Sequence, residues 1–123
     1  MDPLLRQSVQ QDATGTGVPP TELFYAKLDN YIATHFRGAS AHDQNVIQAY
    51  IAAAAIRIAK AEGKRAVEAE DAKAAIYLFH LPDQPDDDCS EAGRQALTRE
   101  RSRGRLTSGA VLTSEVRRFL DQI

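Results

Sequence analysis

Residues 59–72 read AKAEGKRAVEAEDA, and this stretch decides the expected fold. Its first residues continue an alanine-rich helical pattern, and Gly63 is the residue type that most often ends a helix. The next residues, KRAVE, are short and compatible with an extended backbone. Glu70 and Asp71 then stand where acidic side chains favour the positive end of a helix dipole. The stretch predicts a helix, a tight loop and a second helix.

The pattern before this stretch predicts that the first of these helices is long, running from Ser40 to about Glu62. Ser40 is a suitable N-cap, and Asp43 three residues later makes a weak variant of the capping box. Alanine at positions 52–55 keeps the middle of the helix slim, so that another helix can cross it closely. The apolar stripe of this helix consists of Ile47, Tyr50, Ile51, Ala54, Ile58 and Ala61.

Two shorter helices are predicted on either side of the long one. The first begins after Thr21, a possible cap, and stops near Gly38. Its apolar face recurs at helical spacing and consists of Phe24, Leu28, Tyr31, Ile32 and His35. The last helix runs from about Ala69 to His80, before Leu81 and Pro82. The expected fold class is all-α.

Composition divides the rest of the chain. Residues 1–20 are polar and end in GTGVPP, which predicts a flexible leader. Residues 21–81 form the expected core. Residues 82–123 are interpreted as a linker and a C-terminal helical extension, whose last helix, from Val111 to Ile123, has an apolar face. That helix packs back on the core, which is the favoured interpretation, or holds a partner protein, or lies on a membrane surface.

Length and charge bound the function. A chain of 123 residues forms one small domain, and its net charge is −2. Residues 1–88 carry 8 basic and 13 acidic side chains, a balance of −5, whereas residues 89–123 carry 7 arginines against 4 acidic side chains, a balance of +3. The tail is either a nucleic-acid-contacting arm or a solvated segment. The sequence has a single cysteine and no long apolar run, and its first residues lack the basic-then-apolar order of a signal peptide. These features predict a soluble cytoplasmic protein without a membrane span.

The stretch from residue 59 to residue 72 resembles the end of the long helix, the second loop and the start of the last helix of the histone fold, as found in archaeal and bacterial histone-fold proteins. In this resemblance Lys64 and Arg65 are the basic pair of the loop. Val67 is the short strand residue that pairs with a partner's first loop. Asp71 is the acidic residue that clamps the loop by bonding back to Lys64.

The resemblance implies a histone-fold-like helix–long helix–helix core that forms a homodimer, in which two long helices cross antiparallel. The interface is then the stripe of Ile47, Tyr50, Ile51, Ala54 and Ile58. It also implies non-specific binding of double-stranded DNA, a salt-sensitive contact with phosphates through loop residues. The loop residues in question are Arg37, Lys64 and Arg65.

Three observations oppose DNA binding or the histone geometry. The long helix is about two turns shorter than in archaeal histones, Ala66 replaces the usual hydroxyl residue, and the predicted core is acidic. The alternative is a protein–protein interaction or assembly module that does not bind DNA, which includes the helical lid domains of AAA+ ATPases, because these share the short pattern. Under that alternative Lys64 and Asp71 form a structural ion pair and Arg65 is solvated.

An enzyme is not expected. The sequence has no glycine-rich phosphate loop and no Gly-x-Ser-x-Gly motif. Three scattered histidines and Cys89 lack the spacing of a metal site, and the aspartates at 83 and 86–88 lack the alternation and the glycine of a calcium loop. No cofactor or metal is therefore predicted.

Overall fold

The structure is a computed structural model that describes residues 1–78, 90–93 and 95. It contains four helices: α1 (Pro3–Thr16), α2 (Glu22–His35), α3 (Ala41–Ala61) and α4 (Ala69–Leu78). Helix α4 packs against both α3 and α2, and α1 packs against α3. The described residues form no strand beyond an isolated bridge, so the expected all-α class is confirmed.

Helices α2 and α3 begin at the caps that the sequence predicts. The Thr21 hydroxyl accepts a hydrogen bond from the Phe24 amide at 3.2 Å, and the Ser40 hydroxyl accepts one from the Asp43 amide at 3.1 Å. Each bond satisfies an amide that has no partner within its own helix. Helix α2 ends at His35, three residues before the predicted stop at Gly38.

The expected flexible leader, residues 1–20, is wrong, because residues 3–16 form helix α1. Asp2 caps it by accepting hydrogen bonds from the Leu4 and Leu5 amides at 2.8 and 3.3 Å, and proline follows at the first helical position. Its buried apolar side chains recur every four residues and are fully covered: Leu5, Val9 and Ala13. The core therefore begins with α1 and not at residue 21.

The connection between α3 and α4 joins the segment before α2. Val67 forms a parallel bridge with Pro20, in which the Thr21 amide donates to the Val67 carbonyl at 3.0 Å and the Val67 amide donates to the Pro19 carbonyl at 3.1 Å. The resemblance to the histone fold implies that Val67 pairs with a partner's first loop. The structure corrects that assignment, because this chain supplies the pairing segment itself.

The predicted dimer stripe lies mostly inside the chain. Ile47, Tyr50 and Ile51 are 0% exposed and belong to the main hydrophobic cluster. These three side chains have no exposed surface that a second chain could contact. Their assignment to a dimer interface is therefore corrected. Ala54 and Ile58 are partly exposed and pack at the edge of the same cluster.

The C-terminal part of the chain is described only near Ser90, where residues 91–93 and 95 are helical. The predicted linker and the last helix, from Val111 to Ile123, lie outside the described residues. Within the described part of the chain, no helix combines the length and the apolar character needed to cross a membrane.

Candidate functional site

The Lys64 ammonium lies among four carboxylates. Its Nζ donates to Asp71 Oδ1 at 2.9 Å and to Glu70 Oε1, and it lies 3.5 Å from Glu62 Oε2 and 4.0 Å from Glu68 Oε2. The hydrogen bonds to Glu70 and then Asp71 raise the pKa of Lys64 above its ordinary value. The hydrogen bond from Lys64 in turn lowers the pKa of Glu70. The contact that the sequence predicts between Lys64 and Asp71 is therefore present, with three further carboxylates around it.

Asp71 connects this loop to the start of α4. Its side chain is 2% exposed, and its Oδ2 accepts a hydrogen bond from the Glu68 amide at 2.8 Å. This is the half of a capping box in which an acidic side chain in the first turn reaches back to the cap amide. Asp71 thus binds Lys64 with one oxygen and holds the helix start with the other.

The three residues predicted to contact DNA do not form one surface within the chain. Arg65 is exposed beside Lys64 on the α3–α4 connection, whereas Arg37 is exposed on the connection between α2 and α3. Helix α3, with 21 residues, separates these connections by about 30 Å. The positive charge of Lys64 is also directed at carboxylates, and phosphate would have to compete with them.

Arg37 lines a groove of about 560 Å³ between the C-terminal half of α2 and the first turns of α3, with the start of α1 at one end. Helix α2 contributes Asp29, Ile32 and Ala33 to this groove, and Met1 and Asp2 stand at its α1 end. Helix α3 contributes one face at helical spacing: Ala41, Gln44, Asn45 and Gln48. We call this feature the Arg37 groove.

The polar groups of the Arg37 groove differ in whether they are already bonded. Gln48, 4% exposed, donates through Nε2 to Asp29 Oδ1 at 2.9 Å. Gln44 donates through Nε2 to the Phe36 and Ala39 carbonyls at 3.0 and 3.3 Å, so that its side-chain oxygen remains an acceptor. Arg37 and Asn45 form no side-chain hydrogen bond or ion pair among the described residues.

A second polar contact joins the C-terminal segment to the start of α3. Asp43 is 0% exposed, its Oδ1 accepts from the Ser90 amide at 2.8 Å, and its Oδ2 accepts from the Ser90 hydroxyl. Burial by itself raises the pKa of Asp43, but the two hydrogen bonds from Ser90, a hydrogen bond from the Ser40 side chain and the nearby His42 together outweigh burial and leave the pKa below its ordinary value. The Asp43 carboxylate therefore fixes residue 90 on the core.

The Arg37 groove is not predicted from the sequence. The available signal was the polar face of α3, in which Gln44, Asn45 and Gln48 recur at three- and four-residue steps beside an apolar stripe. Among the described residues, no cluster of three or more histidine, cysteine, aspartate or glutamate side chains is arranged to hold a metal ion. Comparisons of this chain with family models, with curated proteins and with solved structures each found no match.

Proposed function

We propose that the core of α1–α4 is a protein–protein interaction module whose α3–α4 loop does not bind nucleic acid. The observation that carries this proposal is the set of four carboxylates around Lys64. Their four negative charges exceed by two the positive charges of Lys64 and the exposed Arg65 beside it, and the side chains of the three glutamates are all more than half exposed. Such a surface repels phosphates, which supply most of the affinity in non-specific DNA binding.

The self-contained packing of the chain also supports the proposal. The succession α2–α3–α4 keeps the short helix, long helix and short helix of the histone-like expectation. The chain itself supplies the segment that pairs with Val67, and it covers Ile47, Tyr50 and Ile51. In the homodimer that the resemblance implies, a second chain would do both. We therefore infer a folded monomer whose surfaces are free to hold a different protein.

A DNA titration tests the first half of the proposal. Fluorescence anisotropy with a random-sequence duplex at low and high salt compares the full chain with Arg65→Glu, and with Arg57→Glu as a control at an exposed position in α3. We expect the two variants to change any affinity by the same small factor, since both reverse one exposed charge. A loss for Arg65→Glu about 10-fold larger than for the control, with a shallower salt dependence, contradicts the proposal.

Light scattering at micromolar concentration tests the second half. We expect a monomer. A dimer that Ile58→Asp converts to a monomer would restore the homodimer that the resemblance implies, because Ile58 is the large side chain of the predicted stripe that remains partly exposed. Circular dichroism of the variant checks that the substitution leaves the helices folded.

A further inference from the structure

One positive charge in the Arg37 groove is not compensated by an opposite charge among the described residues. Asp2 accepts the first amides of α1, and Asp29 accepts the Gln48 side-chain amide and pairs with the Met1 ammonium at 2.8 Å. The Arg37 guanidinium, in contrast, has no ion-pair partner among the described residues. A guanidinium presents its donors in a planar fork that fits a carboxylate in a bidentate arrangement. The uncompensated guanidinium of Arg37 thus favours the binding of a ligand group with two anionic oxygens.

The remaining groups of the groove suit the main chain of a peptide. The Asn45 side chain offers two donors and one acceptor that nothing described uses, and the Gln44 oxygen is a further acceptor. Peptide groups alternate donors and acceptors, so side-chain amides can satisfy both. Ile32 and Ala33 line the groove with apolar surface, and its volume of about 560 Å³ is within the range of pockets that hold small ligands.

We propose that the Arg37 groove binds a carboxylate-bearing peptide segment of a partner protein, with Arg37 on the carboxylate and Asn45 on the peptide main chain. This assignment rests on the proposed function, because it names the chemistry of the partner that the interaction module holds. The carboxylate belongs to an acidic side chain or to a chain terminus, and both present the same oxygen pair to the guanidinium.

Three short peptides distinguish these sources in a two-dimensional NMR titration of the full chain. The probes are acetyl-Ala-Asp-Ala-amide, acetyl-Ala-Ala-Ala with a free terminal carboxylate, and the neutral acetyl-Ala-Asn-Ala-amide. We expect at least one charged peptide to shift the Asn45 side-chain amide and the Arg37 Nε–H signals saturably. The neutral peptide should bind about 10-fold more weakly, because it loses the charge-assisted hydrogen bonds. The charged peptide that binds identifies the source of the carboxylate.

Two variants connect the binding to the groove. Arg37→Gln removes the charge at an exposed loop position and should weaken binding of the charged peptide about 10-fold. Arg57→Gln removes one charge from an exposed position of α3 that does not line the groove, and it should leave binding unchanged. The assignment is wrong if no peptide binds, if the neutral peptide binds as well as the charged ones, or if Arg37→Gln has no effect.

Failure of the groove and failure of the proposed function give different results. If no peptide binds but the DNA titration shows no special role for Arg65, the interaction module stands and its partner does not use the Arg37 groove. If Arg65→Glu selectively abolishes DNA binding, the proposed function itself is wrong, whatever the peptides do.

Discussion

Helices α1 and α3 end in the same way, yet only the end of α3 was evident from the sequence. In α1 the Gly17 and Val18 amides donate to the Thr14 and Ala13 carbonyls, and Gly17 has φ 90°. In α3 the Gly63 and Lys64 amides donate to the carbonyls of residues 60 and 59, and Gly63 has φ 70°. Both are Schellman motifs closed by a glycine in the left-handed region. The same helix-ending glycine thus predicts a helix end at Gly63, where an alanine-rich helical pattern precedes it, but not at Gly17, where the preceding residues are polar.

The two regions also differ in what stabilises them. Helix α1 is held by three apolar side chains that are fully covered, whereas the α3–α4 loop has one such side chain, Val67, and is otherwise held by an ion pair, a cap and one bridge. Burial of a leucine contributes more free energy than a surface-lying polar contact, since the polar contact replaces bonds to water. Substitutions of the covered side chains of α1 should therefore affect stability more than substitutions of the polar residues of the loop.

Leu5→Ala should have the largest effect. Leu5 is 0% exposed, so its truncation leaves a cavity between α1 and the core and lowers the free energy of unfolding by about 2–5 kcal/mol. Leu4→Ala is the matched control, because the neighbouring leucine is 61% exposed. Urea unfolding followed by circular dichroism measures both. Equal effects at the two positions would mean that α1 does not contribute to the core as the structure shows.

Asp71→Ala should have an intermediate effect. It removes the acceptor of the Glu68 amide and leaves the Lys64 ammonium with exposed carboxylates alone, so we expect a loss of about 1–3 kcal/mol in the free energy of unfolding. Glu70→Ala removes the other carboxylate that accepts from Lys64, but that side chain is 67% exposed and water replaces it. The same urea experiment should show little change for Glu70→Ala. A larger loss there than at Asp71 would contradict the central role given to the buried carboxylate.

Gly63→Ala should cost about 1 kcal/mol, because an alanine is strained at φ 70° although its Cβ would meet no atom within 4 Å. Gly38→Ala serves as the control, since Gly38 has no positive φ and equally open surroundings. Thermal unfolding should give a lower midpoint for Gly63→Ala and an unchanged or higher one for the control. A midpoint that falls equally in both variants would show that the left-handed turn is not what the glycine provides.

The parts of the fold that the sequence predicts are those with strong local chemistry. The caps Thr21 and Ser40, the glycine exit at 63 and the spacing of the α3 stripe were sufficient for α2, α3 and α4. Helix α1 has equally good signals in Asp2 and in Pro3 at its first position, but its exposed positions are mostly polar and rich in glutamine. An average over the whole segment therefore obscured a face that a four-residue period reveals.

The candidate site was harder to predict, because it depends on which helices meet. The spacing of Lys64 and Asp71 across one loop is a local property, and their contact was predictable. The Arg37 groove combines the two residues before α1 with α2, α3 and their connection, and nothing in the sequence indicates that Met1 lies against Asp29. The bridge from Val67 to Pro20 joins residues 47 apart, so a family resemblance alone could not decide whether the pairing segment belonged to the same chain.

Asp43 is a second buried carboxylate that can be compared with Asp71. Asp43 accepts hydrogen bonds from the neutral amide and hydroxyl of Ser90, whereas Asp71 accepts one from the Lys64 ammonium. Because the folded pKa of Asp43 is depressed, its contribution to stability is present above the ordinary carboxyl pKa of about 3.9 and is lost as pH falls through the folded value.

Ser90→Ala removes the hydroxyl donor but keeps the amide. Since burial then opposes ionisation with less compensation, we expect the pKa of Asp43 to rise, and the free energy of unfolding at neutral pH to fall by about 0.5 kcal/mol. Titration of the Asp43 carboxyl carbon by NMR measures the pKa. Ser40→Ala removes the α3 cap together with another hydrogen bond that lowers the pKa of Asp43, so it should raise this pKa as well. An unchanged pKa in Ser90→Ala would show that the Ser90 hydroxyl does not donate to Asp43 in solution.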